Sequence, residues 1–164
     1  MNSTERIWTY NTTLKVHYTC QNDMMYNITE DYVIFNRSYY ENMTYSEMMN
    51  GTFDSKLKGQ MIVGPIGGPI QTIETLQYAT DNQSCGVFQV QNALGSGNTF
   101  YELRFKNKTG TPDMPCLTYF NGLGLPGYLI FFNNCSYIFP PNREINSQEE
   151  ENVDNGPPRF DFDE

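Results

Sequence analysis

The stretch from Cys85 to Cys116 constrains the fold most. It opens as Cys85-Gly86-Val87-Phe88-Gln89-Val90, turns at Gly95-Ser96-Gly97-Asn98, and returns as Phe100-Tyr101-Glu102-Leu103-Arg104-Phe105 before Cys116-Leu117. Two β-type runs around a Gly-rich turn predict a hairpin, and the flanking cysteines are placed to staple its far ends. The rest of the chain has to complete a sheet around it.

Its other segments have the same character. Trp8, Tyr10, Thr12, Leu14, Val16, Tyr18 and Cys20 alternate with Thr9, Asn11, Thr13, Lys15, His17 and Thr19. Period-two alternation of this length predicts one long strand over 7 to 20, with one buried and one wet face. His17, the lone histidine, falls on the wet face, which favours a solvated residue over a ligand or base. Asp31 to Tyr40 predicts a second strand, with Tyr32 and Ile34 on one face and Val33, Phe35 and Tyr39 on the other. The methionines around it (Met24, Met25, Met43, Met48, Met49) suit gap-filling in a core better than an adaptable pocket lining.

Gly51 to Leu57 and Gly59 to Val63 predict a hairpin, and Gly64-Pro65-Ile66-Gly67-Gly68-Pro69 a break. Alternation resumes through Ile70, Thr72, Leu76 and Tyr78. Asp113 to Leu123 predicts a short helix, bounded by Pro112, Pro115, Gly122 and Gly124. Tyr128 to Phe132 predicts a last strand running into Cys135. About eight short strands joined by turns, with aromatics at 15% of residues, predict an all-β chain with one short C-terminal helix, closed as an up-and-down barrel. At 164 residues it is one domain's worth, assigned to residues 1 to 141.

Beyond Pro141 the composition changes. Residues 142 to 164 carry eight acids against Arg143 and Arg159, hence −6 of the net −9. Such a segment buries too little apolar area to offset its ordering entropy, so it is expected to be a disordered tail. It is either a solubilising tail or an arm for a basic surface. The arm reading makes Glu149, Glu150, Glu151, Asp154, Arg159, Phe160, Asp161, Phe162 and Asp163 the contact residues.

The clearest compartment signal is sugar. Asn-x-Ser/Thr acceptors begin at Asn2, Asn11, Asn27, Asn36, Asn42, Asn50, Asn82, Asn107 and Asn134, where chance in an Asn-rich chain gives about two or three. Secretion and heavy glycosylation are the expectation. Met1-Asn2-Ser3-Thr4 lacks the basic start and apolar middle of a signal peptide, so the expectation rests on the acceptors. Four cysteines without a C-x-x-C pair, and one histidine, favour two disulfides over a metal site. No run is long enough for a membrane helix. The acidic balance, with no basic stripe, argues against nucleic acid as a partner.

Catalysis needs positioned acids, bases, nucleophiles or a cofactor motif. The sequence has no Gly-x-Ser-x-Gly elbow and no phosphate-cradling loop followed by Lys. One wet histidine supports no triad. The expectation is a binding protein without cofactor, acting as a monomer.

Asp81-Asn82 leading into Cys85-Gly86-Val87, then Tyr101-Glu102-Leu103-Arg104 and Cys116-Leu117, resembles the pattern of tick salivary lipocalins of the histamine-binding type. The likeness runs from about residue 7 to 136. It implies an eight-stranded antiparallel lipocalin barrel, with disulfides Cys20–Cys135 and Cys85–Cys116. It also implies a role against host defence, by trapping histamine, serotonin, leukotrienes or other lipids, or by binding host proteins. A trapped mediator would be lined by Trp8, Tyr10, Met24, Tyr32, Phe35, Tyr78, Phe88, Glu102 and Arg104.

Arg104 departs from the family, which usually has Trp there. If Glu102 and Arg104 both point inward they neutralise each other, and an amine loses the free carboxylate that offsets its desolvation; if both point outward there is no site there at all. In acidity and acceptor number the chain also resembles the Isac-like anti-complement group, which implies properdin as a partner. Contact would then be through outer loops such as 64 to 69, or through the tail. An inhibitor of the complement alternative pathway is the favoured expectation, with the mediator trap as its alternative.

Overall fold

The structure, a computed structural model, describes residues 5–95 and 98–141. Asn2, the tip Ser96-Gly97 of the predicted turn, and the acidic tail with all its proposed contact residues lie outside the described residues.

Eight strands form the barrel: β1 (Arg6–Thr12), β2 (Thr19–Ile28), β3 (Tyr32–Glu41), β4 (Met43–Phe53), β5 (Gln60–Pro65), β6 (Thr72–Ala79), β7 (Cys85–Asn92) and β8 (Thr99–Lys106). Each pairs antiparallel with the next, β8 pairs with β1, and β1 pairs with β2, so the sheet closes on itself. Closure leaves no open edge among these eight. Helix α1 (Met114–Asn121) follows, then a two-residue strand β9 (Tyr128–Leu129) on the far end of β1, and a single helical turn α2 (Cys135–Ile138).

The predicted strand over 7 to 20 is two strands. β1 ends where Thr13 takes over the ladder: its N–H donates to the Tyr101 carbonyl, and its hydroxyl accepts from the Tyr101 N–H. The chain then turns, and β2 starts at Thr19 with Cys20 at φ 59°. Period two continues through the turn residues by coincidence, so alternation alone cannot show the break. His17 is exposed in this connection rather than on a strand.

The predicted last strand is also shorter. Only Tyr128 and Leu129 pair as strand, while Ile130 and Phe131 donate to the Tyr10 carbonyl and Ile130 accepts from the Cys20 N–H. Cysteine chemistry fixes this segment, since Cys20 is bonded to Cys135, and Cys85 to Cys116 at the buried face of α1.

The larger apolar cluster lies outside the barrel wall. Trp8, Val87, Leu103 and Phe105 pack there under Phe120 of α1 and under Phe131 and Phe139 of the closing segment. Phe131 meets Trp8 and Phe105 edge-on, with ring centroids 5.3 and 5.0 Å apart. Burying this many aromatic faces is the main apolar term available to the fold.

Candidate functional site: an ionic waist between two chambers

Strand pleat sends alternate residues into the barrel. On β8 the inward residues are Glu102 and Arg104, both buried, and on β6 the inward residue is the fully buried Glu74. Asp23 on β2 and Arg37 on β3 complete the set. Arg37 grips Asp23 with Nε and Nη2 at 2.8 and 2.9 Å and reaches Glu74 with Nη1 at 3.1 Å. Arg104 bonds Glu74 from the other side and holds Glu102 at 2.8 Å. Gln21 links Glu102 to Thr9, donating at 3.3 and 2.9 Å, and Thr72 donates to Glu74 at 3.0 Å. The network therefore crosses the lumen from β3 to β6 and β8, and closes the barrel at its waist.

Three carboxylates face two guanidiniums, a formal excess of one negative charge. Burial alone would push Glu74 up, but Arg104 and Arg37 outweigh it and hold the carboxyl far below its ordinary range. Burial would likewise lower Arg104 and Arg37, and their carboxylate partners raise both instead. Phe88 and Phe35 face the guanidiniums, with ring centroids 4.5 and 5.1 Å from Cζ of Arg104 and Arg37. Such faces stabilise desolvated cations.

Above the waist, at the end holding the β1–β2, β3–β4 and β5–β6 connections, lies a chamber of about 420 Å³. Its walls are Tyr18, Gln21, Arg37, Tyr39, Tyr45, Glu47, Met49 and Thr72. Tyr39 stacks on Tyr45 at 5.0 Å and 14°, and Tyr18 lies 5.2 Å from Tyr39. Burial, aided by the charge of Glu102, pushes the Tyr18 phenol up, so it stays a neutral donor. Glu47 stands exposed in this wall with no ion pair among the described residues. Below the waist a second chamber of about 220 Å³ is apolar, lined by Ile7, Met25, Val33, Phe35, Phe53 and Met61.

Of the lining residues expected from sequence, Phe35, Phe88, Glu102 and Arg104 face the lumen. The others do not. Trp8 and Tyr10 pack in the outer layer against Phe131. A bulge between Leu76 and Tyr78 turns Tyr78 outward, where it stacks on Tyr119 of α1 at 4.9 Å. Met24 and Tyr32 occupy the outer phase of their strands, next to the inward Asp23 and Val33. The predicted 7-to-20 strand placed Trp8 and Tyr10 on its buried face. That face is buried by the closing segment, not by the lumen.

Asp23, Arg37, Glu74, Tyr18, Tyr39, Tyr45 and Glu47 were not singled out from sequence. A signal exists for two of them: Glu74 sits between Thr72 and Leu76, and Arg37 between Phe35 and Tyr39, each a charge in the buried phase of an alternating run.

No family model and no curated protein matches the sequence. Solved structures match the fold. Japanin from Rhipicephalus appendiculatus, bound to cholesterol, is 11% identical with a TM-score of 0.59, over 80% of this chain and 95% of its own. Apocrustacyanin C1 gives 0.59 at 8% identity, over 83% and 82%. Bovine odorant-binding protein, as a deswapped triple mutant, gives 0.56 at 15% identity, over 77% and 92%.

Proposed function

The fold is thus that of the lipocalins, and we propose that this chain is a secreted binding lipocalin that holds a small aromatic amine, of the serotonin or histamine kind, in its tyrosine-lined mouth chamber. One observation carries the reading: stacked tyrosines stand over a floor where carboxylates outnumber guanidiniums by three to two, beside Glu47, which has no ion pair among the described residues. An aromatic cation gains stacking, cation–π contact and an opposite charge there together. Glu102 is not the amine's partner, because Arg104 neutralises it. An alkyl chain finds no apolar wall of matching length in the mouth, since the waist bars it from the lower chamber. Japanin's cholesterol shows that this barrel architecture accepts a small ligand in that protein.

Calorimetric titration of protein from an animal-cell host with serotonin, histamine and a leukotriene is the test. Saturable binding of an amine supports the trap, and heat from the leukotriene alone removes the amine assignment.

A second reading, inhibition of the complement alternative pathway through properdin, is favoured by the paired waist itself. With Glu102 spent on Arg104 and the lumen divided, activity shifts to the outside of the barrel. Surface plasmon resonance against properdin decides it, and silence at micromolar concentration removes it.

A further inference from the structure

The barrel wall is covered unevenly. Helix α1 packs on β6, β7 and β8, and β9 lies against β1. Among the described residues α2 reaches only one end of the outer face of β2 and β3, through Cys20–Cys135 and beside Tyr40. The other end of the β2–β3–β4 face presents Tyr32 and Met48 at 37% and 38% exposure, with Ile34 half-buried between them.

Strand register places three glycan acceptors on that same face. Ile34 pairs with Asn27 on one side and Asn50 on the other, and Asn36, two residues along, pairs with Met48. At the usual strand spacing Asn27 and Asn50 lie about 10 Å apart across Ile34, with Asn36 about 7 Å further along β3. By contrast β5, β6, β7 and β8 carry no acceptor, and Asn42, Asn82, Asn107 and Asn134 sit in turns or at element ends. Asn36 and Asn50 are half-buried, with Asn50 Oδ1 buried and unpartnered, so their glycans leave the face through Nδ2, the atom that carries the sugar.

We infer that N-linked glycans at Asn27, Asn36 and Asn50 form the roof of the β2–β3–β4 face, doing with sugar what α1 does with side chains on the other wall. A bulky hydrated cover over Tyr32, Ile34 and Met48 prevents a flat, partly apolar sheet face from associating with a second copy.

The test uses the full chain secreted from animal cells. Peptide mapping should find all three acceptors occupied. Enzymatic trimming of the folded glycoprotein to single sugars should raise binding of a hydrophobic dye several-fold and produce dimers or larger species in sedimentation velocity. The variant Asn27→Gln/Asn36→Gln/Asn50→Gln should do the same, while Asn42→Gln/Asn82→Gln/Asn107→Gln stays monomeric. Adding Ile34→Thr and Met48→Thr to the first variant should restore the monomer. Empty acceptors at Asn36 and Asn50, or a trimmed protein that stays monomeric without dye binding, would overturn the inference. Trimming acts on protein already folded, so a failure of the triple variant to be secreted leaves that arm decisive.

Discussion

The two faces of β8 hold the molecule together in opposite ways. Leu103 and Phe105 point outward into an apolar layer sealed by α1, Phe131 and Phe139, whereas Glu102 and Arg104 point inward into a ring of charge. Contacts in the outer layer are non-directional and contribute in proportion to area. The waist depends on each partner's presence, because a buried charge without its counter-charge is expensive while the pair as a whole is close to neutral. Stability should therefore reside outside the lumen, and selectivity within it.

The largest effect expected is in the outer layer. Phe105→Ala removes a ring that contacts both Tyr10 and Phe131, and should lower unfolding free energy by about 4 kcal/mol in urea denaturation. Amine affinity should not change, since the ring faces away from the mouth.

Glu74→Gln should cost about 3 kcal/mol, because two guanidiniums lose a shared carboxylate. The sharper comparison is Glu102→Leu with Arg104→Met. Removing both should cost less than Arg104→Met alone, because that single change leaves both Glu74 and Glu102 without their shared guanidinium, whereas the double change leaves only Glu74 short. A paired loss as severe as that single one would mean that the waist, not the outer layer, carries stability.

The pH response should separate the same regions. Glu74 is depressed in the folded state, so its contribution is fully present above its ordinary value of 4.5 and is lost as pH falls below that toward the folded value. Thermal melts should be flat from pH 7 to about 5 and fall below about 4, and Glu74→Gln should flatten the acid limb. Among the described residues the apolar outer layer contributes no carboxylate to this limb.

Much of this contrast was legible in the sequence, by parts. The hairpin between Cys85 and Cys116, the helix after Asp113 and the closed β architecture follow from local alternation, turn residues and proline placement. That Glu102 and Arg104 share a face follows from their i, i+2 spacing, but the spacing left open whether that face looks inward or outward. What alternation could not tell was which buried face looks into the lumen. Trp8, Tyr10 and Tyr78 read as lining because they are large and in phase, yet the closing segment and α1 bury them from outside. The break at Thr13 was hidden because a side chain and a single cross-strand bond to Tyr101 make it, with no Gly or Pro to mark it. The waist was missed because its members lie on four strands, and only closure brings Asp23 and Arg37 against Glu74 and Arg104.

The most direct measurement is a calorimetric titration of serotonin into the parent, Glu47→Gln and Phe53→Ala proteins. If the ionic waist closes the barrel and the mouth chamber holds the ligand, the parent binds one equivalent. Glu47→Gln then weakens it about tenfold, and Phe53→Ala, below the waist, leaves affinity unchanged. Binding that is lost in Phe53→Ala but insensitive to Glu47→Gln, or no binding to the parent at all, would contradict a ligand site above the waist.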